Sequence, residues 1–308
     1  MNLSARTVGF VAAALTVFIW TFFIIIARAS ASHTLLPLDI AFLRIVGASC
    51  VLIPWGLWLQ AGQTQRQGSL GGLSPLPLRI TALAGLFGSL LYAMLAYAGF
   101  FFAPAAHASV LMPGSLPLWT SLLAVLVLGE KLSRHRMLGL ACIVLGDICV
   151  GGMSLLKAFE GGEVWRGDLL FMTAAFCWAV YTVLVRRHGL DAVRATIAIT
   201  AFSCVSFVPV YALAAAMDWV PSHLGDASWP EIVFQAVYQG IGSVVISGIT
   251  FNLMIRHYGP VRSTMITALV PGLSALGAVA LLGEPLTVNL MAGLALVTGG
   301  IVLGVRQR

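Results

Sequence analysis

The sequence has few charged residues for its length. Of 308 residues only 9% are Asp, Glu, Lys or Arg, whereas 59% are apolar. Soluble globular domains carry roughly 25% charged residues. A soluble enzyme and a disordered chain are therefore excluded, because neither could expose so little polar surface to water.

Several functional motifs are also missing. The five cysteines are odd in number and contain no CxxC pair, which argues against a disulfide framework and a metal site. The sequence contains no Walker motif that would point to ATP as the direct energy source. No dense basic run with aromatic residues predicts nucleic-acid binding. We expect no cofactor and no nucleic-acid partner.

Long apolar runs are abundant instead. A membrane-spanning helix needs about 20 apolar residues, and ten such runs occur, at 8–27, 38–58, 80–102, 105–128, 137–153, 168–185, 195–217, 232–255, 263–282 and 288–305. With a cytoplasmic N-terminus, 13 of the 17 Lys and Arg residues fall in cytoplasmic segments and three in outer segments, while Arg44 lies within a span. This bias predicts a multi-pass protein of the cell inner membrane with both termini cytoplasmic.

The two halves of the chain repeat one another. At an offset of 154 residues, Leu128-Gly129-Glu130 matches Leu282-Gly283-Glu284, and near the start an offset of 158 pairs Trp20 with Trp178 and Arg28 with Arg186. Each half, residues 1–154 and 155–308, holds five predicted helices, so the second copy enters the membrane in the opposite sense. We therefore predict an all-α membrane protein with ten transmembrane helices in two inverted five-helix repeats. This architecture is typical of secondary transporters with a midplane substrate site.

The repeated motif resembles a known family. The pattern Pro-x11-Gly-Glu-x-Leu-x6-Gly-x6-Gly runs from Pro117 to Gly146 and again from Pro271 to Gly300. Together with Trp20, Arg28 and Arg44 it resembles the EamA-like drug/metabolite transporters, with EamA domains at 1–154 and 155–308. The resemblance implies that helices 1, 3, 4, 6, 8 and 9 surround a central cavity. It also implies transport, often outward, of amino acids, purines, vitamins or nucleotide-sugar-like compounds.

Polar and aromatic residues inside the spans are the candidate site. On helix 8 a polar stripe at helical spacing faces either a cavity or a neighbouring helix; it consists of Gln235, Gln239, Ser243, Ser247 and Thr250. Arg44 either receives a substrate carboxylate or caps backbone carbonyls. Aromatic rings either sandwich the solute or pack in the core. The predicted substrate-binding residues are Trp20, Phe23, Arg44, Tyr92, Trp178, Tyr181, Tyr238, Gln239, Ser243 and Ser247.

Other polar residues are expected to be structural. Glu130 and Glu284 precede the fifth and tenth helices, and we expect their carboxylates beside the N-terminal amides of those helices. Asp147, on helix 5, is expected to make a structural polar contact.

The sequence favours a secondary transporter that exports a small organic metabolite, amino-acid-like or aromatic, by alternating access. An importer of a vitamin- or purine-like compound is the alternative. A membrane-embedded enzyme or sensor is disfavoured, because the spans hold scattered single polar groups rather than a catalytic cluster. The expected partners are the small-molecule substrate and the lipid bilayer, with a monomer as the working unit.

Overall fold

The computed structural model describes residues 5–61 and 68–305, and over these ranges the chain is helical apart from its turns and one isolated bridge, between Ser69 and Ser74. In chain order the helices are α1 (Ala5–Ser30), α2 (Pro37–Gln60), α3 (Leu78–Phe102), α4 (Ala105–Leu128), α5 (Arg134–Ala158), α6 (Val164–Arg187), α7 (Val193–Ala216), α8 (Trp229–Met254, with helical backbone continuing to Thr267), α9 (Leu269–Leu282) and α10 (Val288–Val305).

Eight helices of the described chain, α1 to α8, are long and apolar enough to cross a membrane, whereas α9 and α10 are shorter. Of the ten predicted spans, eight are therefore helices long enough to cross a membrane. The 14 residues of α9 extend about 21 Å at 1.5 Å per residue, less than the roughly 30 Å hydrocarbon core. The ninth run was expected from residue 263, but the residues up to Thr267 continue the helix of α8. Of the predicted cytoplasmic cations, Arg66, Arg306 and Arg308 lie outside the described residues.

Close contacts between glycine backbones show how α5 and α10 run relative to one another. A Cβ on Gly139 of α5 would lie 2.4 Å from the carbonyl oxygen of Gly300 on α10, and one on Gly146 would lie 2.8 Å from that of Gly293. Since the contact on α10 moves backwards as the position on α5 advances, these two helices run antiparallel. Small residues allow this proximity, which lets helices associate by van der Waals contact where no hydrophobic effect operates.

The helix pair α3 and α6 is antiparallel for the same reason. Gly99 lies against the ring of Phe171, whereas Gly88, eleven residues earlier, lies against Tyr181. These contacts place the start of α6 and the end of α3 at one end of the bundle, and the end of α1 lies there too, because Arg28 donates a hydrogen bond to the carbonyl of Phe100. We call this the Glu284 end, and the opposite end, where α6 finishes, the Arg186 end.

A buried carboxylate fastens the loops at the Glu284 end. Asp39, in the first turn of α2, is fully buried and accepts hydrogen bonds from the Tyr211 hydroxyl (2.6 Å), the Ser222 hydroxyl (2.7 Å) and the amides of Leu36 (2.9 Å) and His223 (3.0 Å). Four donors on one buried carboxylate hold α2, α7 and the loop before α8 in a fixed arrangement.

The α5–α10 contact predicts a position-specific effect of adding one methyl group. In Gly300→Ala the new Cβ would lie 2.5 Å from the Gly139 carbonyl oxygen, so the helices must separate, and overpacking of this kind costs about 1–3 kcal/mol. Gly299→Ala, its neighbour, has nothing within 4 Å of the new Cβ. In thermal unfolding of detergent-purified protein, we expect Gly300→Ala to lower the midpoint by several degrees and Gly299→Ala to leave it unchanged or raise it. Equal midpoints for the two variants would contradict the close contact.

Candidate functional site

A central cavity of about 350 Å³ lies between the helices. Its walls come from the middle portions of α1 to α4 and α6 to α8, with Val270 of α9, and it extends along α6 as far as Arg186. The volume falls in the range of small-molecule sites, which are largely apolar with a few placed polar groups.

The guanidinium of Arg44 is the main polar group in this cavity. Its Nη1 donates to the Ser243 hydroxyl (3.1 Å), the backbone carbonyl of Gln239 (3.3 Å) and the Tyr97 hydroxyl (3.4 Å), and its Cζ lies 5.6 Å from the ring centroid of Phe23. The residue is 8% exposed, and no carboxylate in the described chain lies within ion-pair distance of it. A buried charge is costly unless paired, so this guanidinium can receive an anionic group from a ligand.

Aromatic rings line two sides of the cavity. Trp178 of α6 contacts Tyr92 of α3, with ring centroids 4.8 Å apart, and Tyr181, at 5.2 Å. Across the cavity, Trp20 of α1 contacts Phe251 of α8 at 5.1 Å. These rings offer apolar, polarisable walls for a flat or amphipathic solute.

Eight of the ten residues predicted to bind substrate line the cavity: Trp20, Phe23, Arg44, Tyr92, Trp178, Tyr181, Ser243 and Ser247. The other two are absent from its lining. The Tyr238 hydroxyl donates to the carbonyl of Ile19 at 3.1 Å, and the fully buried Gln239 accepts a hydrogen bond from the Tyr97 hydroxyl at 3.1 Å. Substrate contact by the eight stays a prediction.

The cavity also uses residues that sequence reasoning did not select. The resemblance implies six cavity helices without α2 and α7, yet Ile45 and Ala48 of α2 and Thr196 and Thr200 of α7 line it. The two threonines stand four residues apart on an apolar helix, so the same spacing that identified the stripe on α8 would have found them. Arg186 lines the cavity at its far end.

Three cavity helices contain π-helical turns. They span Leu86–Leu91 in α3, Val110–Gly114 in α4 and Ala236–Ile246 in α8. Each turn contributes to the cavity wall: Ser89 from α3, Pro113 from α4 and Ser243 from α8. Such turns often occur at functional sites because they re-aim side chains and relax the regular hydrogen bonding of the helix.

An aromatic layer closes the cavity on the side of the Glu284 end. Phe23 packs on Tyr97 (6.1 Å between centroids) and on Phe100 (6.4 Å), and Phe100 packs on Phe171 (4.9 Å). Tyr97, Phe100 and Phe171 are at most 1% exposed. The cavity therefore does not continue past this layer, while it reaches Arg186 in the other direction.

Among the residues that the structure describes, the cavity is lined by two charged residues, Arg44 and Arg186, and by no Asp or Glu. Within 5–61 and 68–305, no group of three or more His, Cys, Asp or Glu could hold a metal ion. Asp147 lies away from the cavity, and its buried carboxylate has no hydrogen-bond partner in the part of the chain described, so the polar contact expected there is wrong.

Comparison with known proteins gives relatives that are named as transporters. "Uncharacterized transporter YyaM" of Bacillus subtilis is 24% identical over 225 residues, covering 72% of this chain and 70% of that protein. An "Uncharacterized transporter" of Archaeoglobus fulgidus is 27% identical over 276 residues, 88% of each chain. A "Probable amino-acid metabolite efflux pump" of Salmonella typhimurium is 24% identical over 209 residues, 66% of this chain and 68% of that protein.

The fold also matches a solved structure. A crystal structure with 24% sequence identity aligns at a TM-score of 0.60 over 98% of this chain and 96% of that one, which supports the fold alone. The family model of the EamA-like transporter family matches residues 7–151 and again 165–306. With two matches that together span most of the sequence, the chain belongs to the EamA-like transporter family and is an integral membrane transporter rather than an enzyme.

Proposed function

We propose that this protein exports a small carboxylate-bearing metabolite, amino-acid-like or aromatic, across the cytoplasmic membrane by alternating access. The observation that carries the proposal is the central cavity, in which a buried arginine, with no carboxylate partner in the described part of the chain, stands beside aromatic walls. In this proposal the two five-helix halves, 1–154 and 155–308, are inverted repeats that rock about the cavity, both termini are cytoplasmic, and one chain is the working unit.

Ion pairs between the halves support the inverted repeat. Arg28, of the first half, pairs with Glu284 of the second, with Nε and Oε1 3.3 Å apart. Arg186, of the second half, pairs with Glu130 of the first. The two arginines correspond in the sequence repeat, as do the two glutamates, and the pairs lie at opposite ends of the bundle. A two-fold axis in the membrane plane exchanges equivalent pairs in this way.

The cavity chemistry supports the substrate class. A carboxylate can form charge-assisted hydrogen bonds with the guanidinium of Arg44, and an apolar or aromatic side chain can pack against Trp178 and Tyr92. With arginines and no acidic residue among the described residues of its lining, the cavity attracts anions and repels cations. The name of the Salmonella typhimurium relative, a probable amino-acid metabolite efflux pump, agrees with this class and with outward transport.

The shape of the cavity supports alternating access. It extends toward the Arg186 end, which the positive-inside count predicts to be cytoplasmic, and it is sealed toward the Glu284 end. In the proposed cycle this is the state that takes up solute from the cytoplasm. Export then requires the Glu284 end to open and the Arg186 end to close.

Replacing Arg44 tests the carboxylate site. In Arg44→Gln a hydrogen bond to a charged group is lost, worth about 2 kcal/mol, so the apparent KM for a carboxylate substrate should rise about 30-fold. The measurement is efflux from preloaded proteoliposomes of a panel of amino acids and aromatic acids, compared with their uncharged amides. Arg79→Gln, the same exchange at an exposed position in the first turn of α3, is the matched control. If Arg44→Gln transports acids as well as the parent does, the carboxylate site is refuted.

Replacing Trp178 tests the aromatic wall. Trp178→Ala removes a ring that contacts both Tyr92 and Tyr181, and aromatic contacts contribute about 0.5–1.5 kcal/mol beyond burial of area. We expect about a tenfold loss of competition by aromatic acids, and a smaller loss for aliphatic acids, in the same efflux assay. Trp229→Ala, at a side chain that is largely exposed, is the control. Equal losses for aromatic and aliphatic competitors would mean that the ring does not contact the solute.

A further inference from the structure

The carboxylate of Glu284 joins three helices at the sealed end of the pathway. Its Oε1 accepts a hydrogen bond from the amide of Ala105 (2.9 Å) and lies 3.3 Å from Nε of Arg28, while its Oε2 accepts from the amide of Ala106 (3.0 Å). These amides belong to the first turn of α4, so Glu284 caps α4 and not, as expected from the sequence, α10. The side chain is only 10% exposed.

The partner arginine contacts a fourth helix. Nη1 of Arg28 donates to the backbone carbonyl of Phe100, near the end of α3. The ring of Phe100 belongs to the aromatic layer that closes the cavity. Arg28 and Glu284 together therefore tie α1 and the segment after α9 to the ends of α3 and α4, directly beside the seal.

The Arg28–Glu284 ion pair takes part in two kinds of contact between helices. The Arg28–Glu284 pair connects α1 with the end of α9, and these two helices are direct neighbours, because a Cβ on Gly277 would lie 2.4 Å from Ile25. The bonds to Ala105, Ala106 and Phe100 instead connect that pair of helices with α3 and α4. Of these bonds only the second kind has to break for the two groups of helices to separate, together with the bond that the Ser274 hydroxyl of α9 donates to the Ser109 hydroxyl of α4 (2.8 Å).

The corresponding ion pair at the Arg186 end is more exposed to solvent. Glu130 and Arg186 are 29% and 46% exposed, against 10% and 33% for Glu284 and Arg28. Glu130 also has Arg136 as a partner, at 3.7 Å. Arg186 lines the cavity, so the less buried pair lies at the end toward which the cavity extends.

We propose that Glu284, held by Arg28, is the latch that closes the transport pathway at this end. In the closed state its carboxylate binds the N-terminal amides of α4, which favour negative charge, and Arg28 binds the carbonyl of Phe100. Opening releases these bonds, while the ion pair stays with α1 and α9. This proposal rests on the proposed function, because it assigns the latch to one step of alternating access.

The test measures access to the sealed end from outside the cell. Ser30 of α1 is 3% exposed there and hydrogen-bonded to Gln235 (2.6 Å), so Ser30→Cys supplies a nearly isosteric reporter. Intact cells are treated with a membrane-impermeant thiol reagent, and the chain with its native cysteines alone gives the background. Glu284→Gln keeps the size of the side chain but removes the charge that binds Arg28 and the amides. We expect the reporter to react about tenfold faster in Glu284→Gln, since a charge-assisted bond is about twice as strong as a neutral one.

Two further variants make the result specific. Glu163→Gln removes an exposed carboxylate that pairs with Arg166 at the same end, and it should leave the rate unchanged. The exchange Arg28→Glu with Glu284→Arg restores opposite charges but places a cation at the amides of α4, so the reporter should remain reactive. An unchanged rate in Glu284→Gln, or full protection in the exchanged pair, would overturn the latch.

Misfolding and failure of the proposed function give different results. A second reporter, Ser89→Cys in the cavity wall, is treated in inside-out vesicles, where it should react in the parent and no faster than that in Glu284→Gln. If Ser89→Cys is unreactive in the parent, the cavity does not open to the cytoplasm and the proposed function fails. If it reacts in the parent but not in Glu284→Gln, while Ser30→Cys reacts faster, the variant has shifted to the state that is open at the Glu284 end, which supports the latch. If neither reporter reacts in Glu284→Gln, that variant is misfolded, and the exchanged pair alone decides. If it reacts in both while Ser30→Cys stays protected, the latch alone fails.

Discussion

The position of the Arg44 guanidinium in the bundle is the constraint on which the cavity depends. A charge in the middle of an apolar bundle needs bonds to several helices, and Arg44 of α2 obtains them from α3 and α8. Those bonds require α2 and α8 to touch along their backbones. A Cβ on Gly47 would lie 2.1 Å from the carbonyl oxygen of Ala236, and one on Gly240 would lie 2.8 Å from that of Arg44. Gly47 and Gly240 therefore fix the position of the Arg44 guanidinium, and its positive charge determines which solutes the cavity can bind.

The main features of the fold follow from simple properties of the sequence. Apolar run length alone predicts eight of the helices that could span a membrane, because a bilayer admits only segments that satisfy their own backbone. Run length could not predict that α9 is short, since the helix of α8 continues to Thr267 across residues that resemble a loop. The repeat matched Arg28 with Arg186 and Glu130 with Glu284, but it could not show that each arginine pairs with a glutamate of the other half. Such pairing depends on how the halves dock.

The site was predictable to the extent that helices are regular. The residues of α1 and α6 chosen by spacing line the cavity, but the stripe on α8 divides: Ser243 and Ser247 face the cavity, whereas Gln235 and Gln239 are buried elsewhere. Spacing of four residues defines one face only at 3.6 residues per turn. Between Ala236 and Ile246 the turns are π-helical and wider, so the face rotates along the helix. The spacing of the polar side chains assumes a regular helix, so it does not reveal that change.

The chemistry at the Glu284 end fits a seal that has to open repeatedly. Separating apolar surfaces costs about 25 cal/mol per Å² of newly exposed area, and the aromatic layer of Phe23, Tyr97 and Phe100 makes this end stable when closed. Hydrogen bonds behave differently, because water replaces each broken bond and the net cost is only about 0.5–1.5 kcal/mol. The hydrogen bonds of Glu284 thus fix how the helices are oriented in the closed state, and breaking them costs too little free energy to prevent opening. It can do so because Arg28 stays beside it, and the carboxylate is never left buried without a partner.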